Sequence, residues 1–236
     1  MVTLSKRLKA IADMVKPCNV VADVGCDHGF LSIYLVENDI AGRGLATDIN
    51  AGPLERAEEH IREYRMENRI ETIQCDGLSG INYADAIVIA GMGGRLMIRI
   101  LTEGAGCRKT ADQLILEPQS ELEYFRNSLC EMGYMIDAED FVLDEGKYYP
   151  IIHAVRGDMK LDRTQAMYGP CLLRDANKTL KEFLLKERDY KLDILWNLTG
   201  NKSPEESDEI SAKTGQRINE LKEELVINEK ALRIIG

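Results

Sequence analysis

Leu4, Leu8, Ile11 and Val15 recur at helical spacing and predict an opening amphipathic helix. The run NVVADVG (19–25) is short, apolar and closed by glycine, the pattern of a buried strand. FLSIYLVEN (30–38) predicts a helix, RGLATDIN (43–50) a strand, and PLERAEEHIREYRMEN (53–68) a helix with Pro53 in its first turn. The alternation continues with strands at 69–77 and 84–91, a helix at 94–104, a strand at 111–119 and a helix at 121–133. Residues 134–157 read as two strands around Asp144-Glu145-Gly146. Repeated βα units closed by a hairpin predict an α/β fold, a mostly parallel sheet covered on both faces.

The pattern changes after Gly157. Leu180, Phe183, Tyr190, Ile194 and Leu198 form one helical stripe, and Ile218, Leu221, Leu225 and Leu232 form another. TGNKSPEES (199–207) interrupts them, with Ser203-Pro204-Glu205-Glu206 as a capping box. The expected arrangement is an antiparallel helical hairpin whose first arm, 171–198, is one helix of ~42 Å at 1.5 Å per residue. The boundary falls at 157/158, separating a ligand-binding domain (1–157) from a hairpin extension (158–236).

The 236 residues include 44% hydrophobic and 30% charged positions with 6 prolines, which excludes a disordered chain. No apolar run is long enough to span a membrane, and no signal peptide is read at the N-terminus, so a cytoplasmic protein is expected. Cys18, Cys26, Cys75, Cys107, Cys130 and Cys171 are never closer than eight positions. They are expected as reduced thiols, and with three scattered histidines no metal site is predicted. The net charge of −10 argues against indiscriminate nucleic-acid binding. It is uneven: the first 157 residues hold 16 basic and 25 acidic side chains, the remainder 14 and 15. A local basic surface is compatible with that total.

The chemistry concentrates at predicted strand ends. Asp23-Val24-Gly25-Cys26-Asp27-His28-Gly29 is a glycine turn from strand to helix, where open α/β sheets bind nucleotides. Asp48 closes the second strand and suits two ribose hydroxyls; Asp76-Gly77 closes the third and suits an adenine amine. The dinucleotide pattern G-x-G-x-x-G would place its second glycine where this chain has Asp27. A carboxylate there repels a pyrophosphate and favours a sulfonium, so S-adenosylmethionine is expected over NAD. Ala90-Gly91-Met92-Gly93-Gly94 follows the fourth strand. No D/N-P-P-Y/F loop for exocyclic amines and no Pro-Cys nucleophile is present, which points to a ring nitrogen or to a group other than a base.

The strings LSKRLKAIADMV, VADVGCDHGFLSIYL, ATDIN, CDGL, IVIAGMGG and ILEPQ closely resemble the bacterial tRNA (adenine-22-N1)-methyltransferases. The resemblance covers about residues 1–157 and continues more loosely beyond. It implies a class I methyltransferase (Rossmann-like) seven-stranded sheet with a coiled-coil-like extension, S-adenosylmethionine as donor with S-adenosylhomocysteine as product, and tRNA as substrate. The chain departs from other members at Cys26 and Gly29-Phe30, where Ser and Ala-Tyr are frequent. The expected cofactor-binding residues are Asp23, Gly25, Asp27, His28, Gly29, Asp48, Ile49, Asp76, Gly77, Ala90, Gly91, Met92 and Gly93. Asp27, near the developing positive charge, and Met92, packed on the base, are the catalytic candidates; Tyr149 is the alternative to Met92. Lys6, Arg7, Lys9, Arg95 and Arg99 are the RNA-binding candidates, and Arg108-Lys109 is a further basic pair. The competing readings are a small-molecule or protein methyltransferase, an NAD-linked oxidoreductase, and a non-catalytic RNA-binding scaffold.

Overall fold

A computed structural model describes residues 2–199 and 212–236. Its contacts divide the chain into two compact units, Met1–Lys160 and Leu161–Gly236. Among the described residues of the first unit, seven strands form one sheet in the order β3-β2-β1-β4-β5-β7-β6. They are β1 (Cys18–Val24), β2 (Ala41–Asp48), β3 (Ile70–Gln74), β4 (Ala86–Met92), β5 (Gln113–Pro118), β6 (Tyr134–Asp144) and β7 (Lys147–Arg156). β1 to β5 are parallel, and β7 runs antiparallel to both β5 and β6. Helices α1 (Lys6–Met14), α2 (Phe30–Glu37), α3 (Ala51–Glu63), α4 (Gly94–Glu103), α5 (Ala105–Arg108) and α6 (Leu122–Glu131) complete the unit.

The apolar runs become the inner strands because both faces of a helix-covered parallel sheet are dry. Ile87, Val88 and Ile89 of β4 and Leu114, Ile115 and Leu116 of β5 are fully buried. The crossovers through α2 and α3 carry the chain outward from β1 to β3, and it then returns to lay β4 on the other side of β1. The order therefore reverses between β1 and β4, and their carboxyl ends flank the crevice where this class of sheet takes its ligand. The sequence had extended β3 to Gly77; it stops at Gln74, and Asp76-Gly77 sits in the loop beyond. α3 begins at Ala51 and ends at Glu63, earlier at both ends than expected. The four-residue α5 was not anticipated.

The second unit contains α7 (Arg163–Tyr168), α8 (Pro170–Arg174), α9 (Lys178–Thr199) and α10 (Ala212–Ile235). α9 and α10 are antiparallel: Lys181 Nζ bonds the Gly236 carbonyl, Asn228 Nδ2 the Leu184 carbonyl, and Lys191 pairs with Glu224. The single helix expected over 171–198 is corrected. α8 stops in a Schellman turn, with Asn177 N–H on the Leu172 carbonyl, Ala176 N–H on that of Leu173, and Ala176 left-handed at φ 50°. Asn177 then caps α9 by accepting from the Leu180 amide at 2.9 Å. Tyr190, placed on the inner stripe by its spacing, is 66% exposed, and Leu180, Leu184 and Lys191 are the buried positions of α9. A capping box, Asp162 with Gln165, starts α7. The breaker at 199–207 and the capping box at 203–206 lie, apart from Thr199, outside the described residues.

Candidate functional site

The turn after β1 is built from left-handed backbone. Gly25, Asp27 and Gly29 have φ of 76°, 49° and 71°. The Gly25 and Cys26 amides both bond the Thr47 carbonyl, at 2.8 and 2.9 Å, which fixes the turn beside the end of β2. A Cβ on Gly25 would collide with the Met92 methyl, and one on Gly77 would lie 2.8 Å from Ile100, so at both positions a side chain packs directly on a left-handed glycine backbone. Two depressions meet at Gly25. One, of about 190 Å³, is lined by Asp48, Ile49, Asp76, Gly77 and Met92. The other, of about 100 Å³, is lined by Arg7, Asp23, Asp27, His28 and Ala90. A ligand with an adenosine at one end and an amino acid at the other suits this division, with hydrogen-bond acceptors for the ribose and adenine in the first part and carboxylates for an ammonium in the second.

The acids differ in state. Asp48 is half-buried, and its Oδ1 accepts from the Asn50 amide at 2.8 Å, which orients the carboxylate. Asp23 is buried and accepts from Ser32 Oγ at 2.7 Å; burial pushes its carboxyl up to about 6, against the Ser32 bonds. Asp76 is exposed, and both its oxygens are taken by Arg99, at 2.9 and 3.0 Å. That bonding holds its carboxyl below the usual range. Asp27 has a cationic partner. It is 66% exposed, pairs with Arg56 at 3.3 Å and stands 3.6 Å from His28. It also lines the second depression, whereas Met92 lines the first, so the two catalytic candidates flank Gly25 on opposite sides.

β4 ends in a bulge. Ala90 pairs with Glu117 and Met92 with Pro118, which leaves Gly91 at φ 77° outside the ladder. The displaced Gly91 amide donates to Glu117 Oε2 at 2.8 Å, and Arg7 Nη1 reaches the same oxygen at 3.3 Å. The Arg7 guanidinium also lies over the Tyr149 ring, 5.1 Å from its centre. Glu117 was missed at the sequence level except as part of the string ILEPQ. An acid ending an otherwise apolar strand was the only signal it carried.

Each of the five cations expected at the RNA has a partner within the first unit. Lys6 Nζ bonds the Leu143 carbonyl, Arg7 turns to Glu117, and Lys9 pairs with Asp13. Arg99, on the same helix as Arg95, lines the first depression and bonds Asp76. Arg95 remains outward, 69% exposed, paired with Glu121 and 4.7 Å above the Tyr124 ring. Among the described residues no group of three or more His, Cys, Asp or Glu side chains is arranged to hold a metal ion. No described helix is long and apolar enough to cross a membrane.

Residues 4–152 match the model of a methyltransferase domain family. The tRNA (adenine(22)-N(1))-methyltransferase of Bacillus subtilis is 34% identical over 224 residues, 93% of this chain and 92% of that protein. This chain belongs to the tRNA (adenine(22)-N1)-methyltransferase family. Solved members superimpose over nearly the whole chain. The crystal structure of the B. subtilis m1A22 tRNA methyltransferase TrmK has a TM-score of 0.84 at 27% identity, covering 98% of this chain and all of that one. A Streptococcus pneumoniae putative tRNA (m1A22) methyltransferase in complex with S-adenosyl-L-methionine gives 0.85 at 27%, with the same coverage. Family membership decides against the NAD-linked reading, against which Asp27, paired with Arg56, is a weaker argument than its sequence position suggests. The seven-stranded methyltransferase sheet is the one expected from the sequence.

Proposed function

We propose that this protein transfers a methyl group from S-adenosylmethionine to N1 of adenine 22 in tRNA. Glycine-lined space on both sides of Gly25, with acids at successive strand ends, carries the reading, in a chain that belongs to this family. Asp48 and Ile49 take the ribose end; Asp76 and Gly77 take the adenine. Asp23, Gly25, Asp27, His28 and Gly29 take the amino-acid end, and Ala90, Gly91, Met92 and Gly93 border the reacting centre. Bound donor supplies an electrophilic methyl on a sulfonium. N1 has an in-plane lone pair, so direct displacement needs no covalent enzyme intermediate, and the protein contributes approach geometry and exclusion of water. N1 lies on the pairing edge, so the adenine is presented unpaired or drawn from its stack. Met92 packs on the base, and Asp27 contributes negative potential to the cationic product, moderated by Arg56. A tRNA substrate places the reaction in the cytoplasm.

The test is incubation with unmodified tRNA and labelled donor, followed by digestion and mass spectrometry of the nucleosides. The expected product is 1-methyladenosine, absent when adenine 22 is replaced by guanine. Label in protein or small metabolites instead of tRNA overturns the reading. Arg95 with Tyr124 is the proposed RNA-facing element. Arg95→Glu is expected to weaken tRNA binding about tenfold at fixed low salt, since it removes one phosphate contact and adds a repulsion. Its S-adenosylmethionine affinity by calorimetry is expected to stay unchanged. Ending the chain at Lys160 is expected to preserve donor binding and raise the KM for tRNA, measured by steady-state methylation, if the helical unit serves substrate capture.

A further inference from the structure

We propose that Glu117 is a positioning residue for methyl transfer: its carboxylate ties the Gly91 bulge to Arg7, and catalytic turnover depends on that tie. The inference rests on the reading of the chain as a tRNA adenine methyltransferase. β-Bulges beside active sites re-aim a neighbouring side chain. Here the bulge takes Gly91 out of the ladder and sets Met92 against Gly25, at the junction of the two depressions. Its displaced amide needs an acceptor, and Glu117 Oε2 supplies it. The same oxygen receives Arg7 Nη1. One atom therefore joins the end of β4, the end of β5 and helix α1. Glu117 is fully buried, and its Oε1 is buried with no hydrogen-bond partner. A carboxylate in that position costs stability, and the fold has no need of a charge merely to accept from one amide.

The tie is sensitive to protonation. Burial pushes the Glu117 carboxyl up to about 7, with Arg7 and the Gly91 amide pulling the other way. The charged and titratable groups around it are Arg7 from α1, and Tyr149 from β7 beneath the Arg7 guanidinium. Asp144 from β6 accepts from the Arg7 amide, and Asp23, Asp27 and His28 at the β1 end share a depression with Arg7. Protonation removes the negative partner of Arg7 and loosens the bulge, so turnover rises with pH as Glu117 ionises.

The experiment compares the full-length wild type, Glu117→Gln and Arg7→Gln at saturating donor and tRNA, across pH 5.5–9. The readouts are kcat, KM, calorimetric donor affinity and thermal midpoint. In the wild type, kcat is expected to rise along a limb with an apparent pKa near 7. Glu117→Gln is expected to flatten that limb and to lower kcat about tenfold at pH 8, the scale of a small misplacement of reacting groups. Donor affinity is expected within about twofold, and the thermal midpoint at pH 8 no lower, because a buried charge has been removed. Arg7→Gln removes the cation that favours ionised Glu117 and is expected to move the limb to higher pH. An unchanged kcat and limb in Glu117→Gln overturns the assignment, as does a kcat loss accompanied by a lowered midpoint and weakened donor binding. Should Glu117→Gln fail to fold, the Arg7→Gln limb decides alone: displaced, it supports the tie; unmoved, it overturns it. A wild type that methylates no tRNA overturns the function, and the Glu117 assignment with it.

Discussion

Asp48→Ala is expected to weaken S-adenosylmethionine binding about 10²-fold, or roughly 2.7 kcal/mol, while the protein stays folded. The size follows from the chemistry of the pair. A carboxylate that accepts from two vicinal hydroxyls makes charge-assisted bonds, each worth about 1.5–3 kcal/mol and less than additive together. The site is preorganised to make them. Asp48 ends β2 in register with Gln74 of β3, and its own carbonyl receives the Cys75 amide at 3.0 Å. The preceding Thr47 carbonyl anchors the Gly25 turn. With Oδ1 held by Asn50, Oδ2 is the remaining open acceptor. The side chain is half-buried and forms no ion pair among the described residues, so its loss is expected to leave the thermal midpoint within a few degrees. Calorimetric titration of the donor checks the result. Asp48→Asn keeps shape and loses charge, and is expected to fall between the two. Equal affinity in wild type and Asp48→Ala would remove Asp48 from the ribose site and place the adenosine elsewhere.

Asp48 was readable from the sequence because strand ends are marked by local patterning. A buried strand must be apolar and must leave the sheet through a turn, so Gly25, Asp48 and Gly91 announce themselves within a few residues. Their positions fix the crevice once the order reverses between β1 and β4. What stayed hidden depends on partners far apart in sequence. Glu117 meets Arg7 across 110 positions, and Arg99 meets Asp76 across 23. Charge spacing along one helix put Arg95 and Arg99 together, yet their guanidinium groups go to Glu121 and Asp76. The break at Asp175–Asn177 was hidden for a different reason. Apolar residues continue on both sides of it at helical spacing, and a left-handed alanine leaves no glycine to mark the stop. Asn177 was the available signal, and it reads equally well as an exposed helical residue.

Glu139→Ala is expected to destabilise the first unit by about 3–5 kcal/mol, because it removes a carboxylate bonded to a buried guanidinium. Arg126 on α6 and Glu139 on β6 are joined at 2.9 Å between Nε and Oε1, with side chains 1% and 0% exposed. Taking two charges out of water is expensive, and their mutual attraction offsets the cost only while both are present. Removing the carboxylate leaves the more costly half behind, whatever other contacts Arg126 retains. In urea the midpoint of unfolding is expected to fall with little change in slope, and on heating the midpoint drops on the order of 10 °C. Glu139→Gln keeps an acceptor and is expected to cost less. The decisive comparison is Arg126→Met with Glu139→Leu. If the penalty is that of an unpaired charge, the double replacement recovers most of the stability lost in Glu139→Ala. If instead the pair is needed to seat α6 against the sheet, the double variant remains as unstable as the single one. Helix α6 also packs on α4, whose first residue is Gly94, just after the end of β4. At temperatures where Glu139→Ala is still folded, its kcat at saturating donor and tRNA is expected to match the wild type, which separates this structural pair from the Glu117–Arg7 tie, whose loss lowers kcat.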